Sequence, residues 1–320
     1  MSTSTWTPTP LADTVALGPN LPRVRSVGVG TWQWGDRHVW RYGREFGEAD
    51  VRGACEAALR CGLNLFDTAE IYGNGESERL LGGCLRAAGA ETTLVATKFM
   101  PYPWRLGRGA LPRALEGSLG RLRVSSVGLY QVHMPLPPLS VETWAEGLAE
   151  AVSLGLTRAV GVSNYSADQM RRTQAVLARR GVPLASNQVE FSLLQRRPER
   201  DGLLRTCQEL GVQLVAYSPL AKGLLGGRYT RRRPPSLARR LSLPRGAWRR
   251  LPPLLALMRQ IGLEQGGKTP AQVALNWLLC KGALPIPGAR NASQVEENAG
   301  ALGWRLTDAQ LAALDRATGD

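Results

Sequence analysis

Short apolar runs alternate with helix-length amphipathic stretches along almost the whole chain. The runs at 26–30, 64–66, 94–98, 127–133, 159–162, 186–190, 213–217 and 284–286 predict strands. Between them the apolar periodicity predicts helices at 49–61, 77–87, 111–122, 141–154, 167–179, 198–210 and 270–281, followed by 293–299 and 307–317. Strands that alternate with helices form a parallel sheet, because parallel neighbours need a crossover connection. Eight such units in about 300 residues fit a closed barrel better than an open sheet. Helix punctuation agrees. Ser166 and Thr307 stand where N-caps are needed, and Gly62, Gly155, Gly181, Gly211 and Gly282 follow predicted helices as left-handed caps. The expected fold is α/β, a single (β/α)8 TIM barrel over 23–320 with its active site at the C-terminal rim, preceded by a flexible extension over 1–22.

One interval breaks the rhythm. About 50 residues, 218–268, separate the seventh predicted strand from its helix. Loops that long in compact domains tend to be functional, and in a barrel this one opens on the C-terminal face. It also carries the charge. The chain has a net charge of +14, and 228–250 holds nine arginines and no acidic residue. Three readings stand side by side: an arm for polyanions, contact with a phosphorylated cofactor or anionic substrate, and a general bias toward arginine. No nucleic-acid motif or interleaved aromatic platform supports the first, so no nucleic-acid partner is expected.

Composition narrows the rest. A 43% hydrophobic and 21% charged chain is that of a soluble globular protein. Five dispersed cysteines read as reduced thiols, and with two histidines they offer no metal-ligand cluster. Residues 1–20 lack the charged and apolar regions of a signal peptide and the arginines of a transit peptide. No run approaches the ~18 apolar residues that span a bilayer. The expected location is the cytoplasm, with no membrane partner, as a monomer or weak homo-oligomer.

The chemistry lies at the strand ends. The run at 64–66 passes into Asp67, with Tyr72 five residues on; the run at 94–98 ends on Lys98, and that at 127–133 on His133. Only four lysines and two histidines occur in the chain, and one of each closes a strand. Barrel strands deliver such residues to one rim. A phenol near pKa ~10 is a poor proton donor at neutral pH, and a neighbouring ammonium lowers that value. Lys98 would supply the ammonium, Asp67 would hold it charged, and His133 could bond the substrate oxygen. The group suits protonation of an oxygen that gains negative charge, as in carbonyl reduction. No nucleophile–base pair competes: Ser163 has no evident histidine, and residues 161–164 are not a G-x-S-x-G elbow.

At these residues the chain resembles the aldo-keto reductase family of the bacterial and plant NADP-dependent type, from Val24 to Thr318. Asp67, Tyr72, Lys98 and His133 match that family's catalytic tetrad in order and spacing. The resemblance implies that NADP(H) is the cofactor. It implies that Ser163 and Asn164 grip the nicotinamide carboxamide with help from Gln188, and that Tyr217 stacks on the ring. Ser218, Leu220, Gly223 and Leu225 would line the pyrophosphate path, and Gly30, Thr31 and Trp32 would lie beside the nicotinamide. Arg290, Gln294, Glu297 and Asn298 resemble the adenine and 2′-phosphate site, with Arg228 as a further contact. A guanidinium that can pair bidentately with phosphate favours NADPH over NADH. No third glycine follows Gly73 and Gly75 to make a Rossmann fingerprint, consistent with a family that binds its dinucleotide without one.

The implied activity is reduction of a small carbonyl compound, pyridoxal among the candidates, with Trp32, Trp34, Phe99, Trp104 and Met134 as apolar walls and Glu70 a bystander. Two readings of other classes remain: a nucleotide-sensing regulatory subunit that keeps the fold, and a polyanion-binding protein acting through 228–250.

Overall fold

The computed structural model describes residues 13–19, 21–90, 93–227, 229 and 247–319. A two-strand antiparallel hairpin, β1 (Thr14–Val15) and β2 (Val24–Arg25), precedes eight parallel strands. These are β3 (Val29–Gly30), β4 (Leu65–Asp67), β5 (Leu94–Phe99), β6 (Val127–Val132), β7 (Thr157–Ser163), β8 (Leu184–Glu190), β9 (Gln213–Tyr217) and β10 (Leu284–Pro285). They pair in sequence order, and a parallel bridge between Gly30 and Gly288 joins the last strand region to the first. Gly28 and Gly30 donate their N–H groups to Pro285 and Pro287 carbonyls at 3.0 Å across that seam. A Cβ at Gly30 would stand 2.8 Å from the Ile286 carbonyl oxygen, so closure requires glycine there. The sheet is a closed (β/α)8 barrel.

The crossover helices are α1 (Glu48–Arg60), α2 (Glu76–Ala87), α3 (Ala110–Leu122), α4 (Val141–Ser153), α5 (Ala167–Ala178), α6 (Arg197–Arg200) and α7 (Leu203–Glu209). After β9 come α8 (Ala247–Glu264) and α9 (Pro270–Cys280), then α10 (Ala292–Ala299) and α11 (Asp308–Thr318). Ser166 and Thr307 form the expected caps, and Gly62, Gly155, Gly181, Gly211 and Gly282 all have positive φ. The predicted helix at 198–210 is broken into α6 and α7 by Gly202 at φ 74°. The predicted loop at 218–268 contains α8, whose Leu251, Leu254, Leu255, Met258 and Ile261 are buried at helical spacing. Pro252 and Pro253 obscure that helix in the sequence. Arg228, Arg231, Arg232, Arg233, Arg239, Arg240 and Arg245 lie outside the described residues.

Part of the predicted N-terminal extension is packed rather than free. Leu17 and Leu21 are buried with Val24 against Leu65, Leu94, Leu129, Val215 and Leu284, sealing the barrel's lower end with apolar side chains. The strand period of two then decides what stands above them. Leu65, Leu94 and Leu129 point inward, so Asp67, Lys98 and Gln131 do too, Asp67 and Gln131 one layer and Lys98 two layers nearer the C-terminal rim than the leucine of the same strand. Phe66, Val95, Tyr130 and Val132 point outward and pack beneath the helices. The polar site is therefore set directly on the apolar plug.

Candidate active site

Lys98 is fully buried, and an ammonium in that position must spend its three N–H donors on protein. It does so. Nζ lies 2.5 Å from Asp67 Oδ1, 2.8 Å from the Thr68 carbonyl and 3.3 Å from Tyr72 Oη. Burial pulls the Lys98 pKa down most strongly, but Asp67 and Tyr72 together outweigh it and the net shift is upward. The lysine is thus held charged.

Tyr72 reaches the ammonium because the chain after β4 turns sharply. A 3-10 turn over Tyr72–Gly75 has left-handed Gly73 and Asn74, and it returns the phenol over the strand ends before α2 begins. The phenol's pKa is raised by burial; Lys98 opposes that shift without reversing it. The sequence expectation of a lowered phenol pKa therefore fails on desolvation. At neutral pH Tyr72 holds its proton.

His133 continues the β6 line and sets its ring edge-on to Tyr72, with centroids 5.8 Å apart. Burial, reinforced by the Lys98 charge, lowers its pKa to about 3, so the imidazole is neutral. Nδ1 is buried without a partner among the described residues.

Asp67 has further partners. Gln188 Nε2 donates to Oδ2 at 2.8 Å, and Gln131 Nε2 at 3.3 Å. Gln131 is not among the site residues expected from the sequence, although a polar residue inside an apolar parallel strand is a signal for it. Ser163 bonds the Gln188 carbonyl at 2.8 Å, and Asn164 bonds Ser163 at 3.0 Å and the His133 carbonyl at 3.1 Å. Tyr217 donates to Asn164 Oδ1 at 3.1 Å, and burial keeps its phenol neutral with a pKa near about 12. One hydrogen-bonded chain thus runs from the Lys98–Asp67 pair to the rim of β9.

A cavity of about 390 Å³ opens over this chain. Asp67, Tyr72 and His133 form part of its wall. Gly30, Thr31, Trp32, Ser163, Asn164, Gln188 and Tyr217 also line it, as do Ser218, Leu220, Gly223, Arg290, Gln294, Glu297 and Asn298. Leu225 does not. Its N–H closes a turn on the Leu220 carbonyl at 3.2 Å, and its side chain is fully buried in the main core. Arg228 lies outside the described residues.

Other expectations change as well. Trp34 is buried with its indole on the Ala289 carbonyl at 2.8 Å, and Phe99 packs on Trp144. Trp104 is exposed and stacks on Tyr102 away from the cavity. Trp32 and Met134 remain as walls, joined by Trp40 and Ile71. Glu70 is no bystander: it accepts the Met100 N–H at 2.6 Å and both Arg105 guanidinium nitrogens at 2.5 and 3.0 Å. Lys222, one of the chain's four lysines, lines the cavity and was also missed.

The cavity's polar groups suit an elongated ligand with hydrogen-bonding and anionic parts. His133 Nδ1 and Gln33 Oε1 are buried beside it without partners among the described residues. Asn164, Ser218 and Lys222 adopt positive φ of 62°, 50° and 56°, a backbone strain that clusters at ligand sites. A Cβ at Gly288 would collide with the Gln33 carboxamide, so that wall is closely fitted. Among the described residues no His, Cys, Asp and Glu group can hold a metal ion.

The sequence profile of the Aldo/keto reductase family matches residues 26–318. The chain belongs to the aldo/keto reductase family. It is an oxidoreductase of that class, 42% identical over 315 residues to the chloroplastic pyridoxal reductase of Arabidopsis thaliana, covering 95% of this chain and 85% of that one. Among solved structures this reductase is similar to the glycerol dehydrogenase of Gluconobacter oxydans, with a TM-score of 0.82, 29% identity and coverage of 95% and 94%. An aldo/keto reductase from Klebsiella pneumoniae in complex with NADP and acetate gives a TM-score of 0.72, 29% identity and coverage of 92% and 91%. No helix of this reductase, among the described residues, is long and apolar enough to cross a membrane.

Proposed function

We propose that the protein reduces an aldehyde to a primary alcohol with NADPH, Tyr72 donating the proton, and that pyridoxal is within its substrate range. The observation that carries the reading is the Lys98 ammonium, whose three donors end on Asp67, the Thr68 carbonyl and the Tyr72 hydroxyl beneath an aromatic cavity. NADPH, when bound, supplies the hydride for the carbonyl carbon. Ser163, Asn164 and Gln188 offer amide and hydroxyl groups for its carboxamide, and Tyr217 offers an aromatic face. Lys222 and Arg290 offer the cations that phosphates require.

Tyr72 gives its proton to the carbonyl oxygen as charge develops there. The phenolate that remains is stabilised by Lys98 at 3.3 Å, so the ammonium acts in the transition state rather than by ionising the resting phenol. Neutral His133 orients the oxygen without competing as an acid. Trp32, Trp40 and the Tyr72 ring make a wall suited to a planar heteroaromatic aldehyde. The 42% identity to a pyridoxal reductase supports that substrate class.

The test is stoichiometric. NADPH oxidised in the presence of pyridoxal should equal pyridoxine formed, with turnover also on other aromatic aldehydes. Absence of turnover on every aldehyde tried, with NADPH bound, would contradict the reading.

A further inference from the structure

Arg290 is not a vacant cation. Its Nη1 is 3.0 Å from Glu45 Oε2, and its guanidinium lies over the Phe46 ring at 5.4 Å. Glu45 belongs to the segment between β3 and α1, while Arg290 belongs to the segment between β10 and α10, so the contact joins two loops, and its Arg290 end lines the cavity. Glu45 is the sole acidic partner of the Arg290 side chain among the described residues. The Arg290 backbone is fixed separately, its N–H on Gln294 Oε1 at 2.9 Å.

We infer that Glu45 is a built-in competitor for the anion site at Arg290: its carboxylate occupies the guanidinium that a cofactor's 2′-phosphate must engage, and so sets the affinity and release of NADP(H) but not of NAD(H). This rests on the assignment of Arg290 to the 2′-phosphate. A phosphate near two negative charges displaces a carboxylate of one, and the ring of Phe46 keeps the guanidinium in place while partners exchange. A 2′-hydroxyl brings no charge and leaves the ion pair intact. The internal anion therefore weakens NADPH binding selectively. Product release limits turnover in many enzymes, and a more weakly held oxidised cofactor leaves faster.

Both partners are partly exposed, which keeps the effect modest. Dissociation constants for NADPH and NADH, read by cofactor fluorescence, decide the matter for the whole protein, Glu45→Gln, Arg290→Ala and the double variant. Glu45→Gln should tighten NADPH by about three- to tenfold and leave NADH within about twofold. In the Arg290→Ala background the Glu45 substitution should have no effect. If Glu45→Gln leaves NADPH unchanged, weakens it, or shifts both cofactors alike while Arg290→Ala selectively weakens NADPH, the competitor role is overturned and the Arg290 assignment stands. If Arg290→Ala affects both cofactors equally, the assignment itself fails and the competitor role with it. Glu45 sits on a surface segment, and matching thermal melts will show that the variants fold.

Discussion

Gln188 Nε2 donates to Asp67 Oδ2 at 2.8 Å, tying the proposed nicotinamide side of the site to the ion pair that charges Lys98. The contact spans from β8 to β4 through the barrel interior. Replacing Gln188 by Leu removes it while Lys98 and Gln131 still hold Asp67. The expected result is a roughly tenfold or greater fall in kcat together with weaker NADPH binding. Loss of cofactor affinity with kcat unchanged would show that the amide serves binding alone.

Glu70 and Arg105 tie the Tyr72 turn to the segment after Lys98. Both Glu70 oxygens are engaged, and its side chain is nearly buried. Glu70→Ala strands a guanidinium and the Met100 N–H, at a cost of about 2–4 kcal/mol in urea unfolding. Glu70→Gln, which keeps an acceptor, should cost less. Equal stability for wild type and both variants would remove this clamp from the account.

The pH behaviour follows from two opposite shifts. His133 has a folded pKa lowered to about 3 by burial and by Lys98, against about 6.5 when unfolded. Its contribution to stability is complete above about 6.5. It is lost as pH falls from there toward about 3, because only the unfolded state then takes up the proton. Tyr72 is shifted upward by burial. Aldehyde reduction should thus show no limb near pH ~6.5 and no alkaline loss until beyond the ordinary phenol range of ~10. A rate that titrates near pH ~6.5 in wild type and not in His133→Asn would contradict a neutral imidazole.

Much of this was legible in the chain. Alternating runs announce the barrel, and titratable residues that close successive strands mark Asp67, Lys98 and His133, the last two sharpened by the scarcity of lysine and histidine. Period-two counting from Leu94 puts Lys98 inside, and the same count from Leu129 puts Gln131 there. What escaped was pairing across space. Nothing local to Glu70 names Arg105, and Glu45 meets Arg290 from 245 residues away. The direction of the Tyr72 shift also needed the structure, since burial and the Lys98 charge act in opposite senses and only their balance decides. Helix α8 was hidden by two prolines inside an otherwise regular apolar stripe.

Lys98 gives a related expectation. Lys98→Met removes the group proposed to stabilise the phenolate and leaves Asp67 buried without its cation. Turnover should fall by roughly 10³-fold or more. Folding should also weaken, as read by thermal melts. Retention of both would mean that the buried pair contributes to neither.

The central claim is that Tyr72 supplies the proton. Tyr72→Phe keeps the ring and removes only the hydroxyl 3.3 Å from Lys98. Rates of NADPH oxidation with a reactive aldehyde, measured beside the cofactor dissociation constant, should show kcat lowered by roughly 10²- to 10⁴-fold with NADPH affinity unchanged. Turnover equal to wild type in this variant would contradict the account.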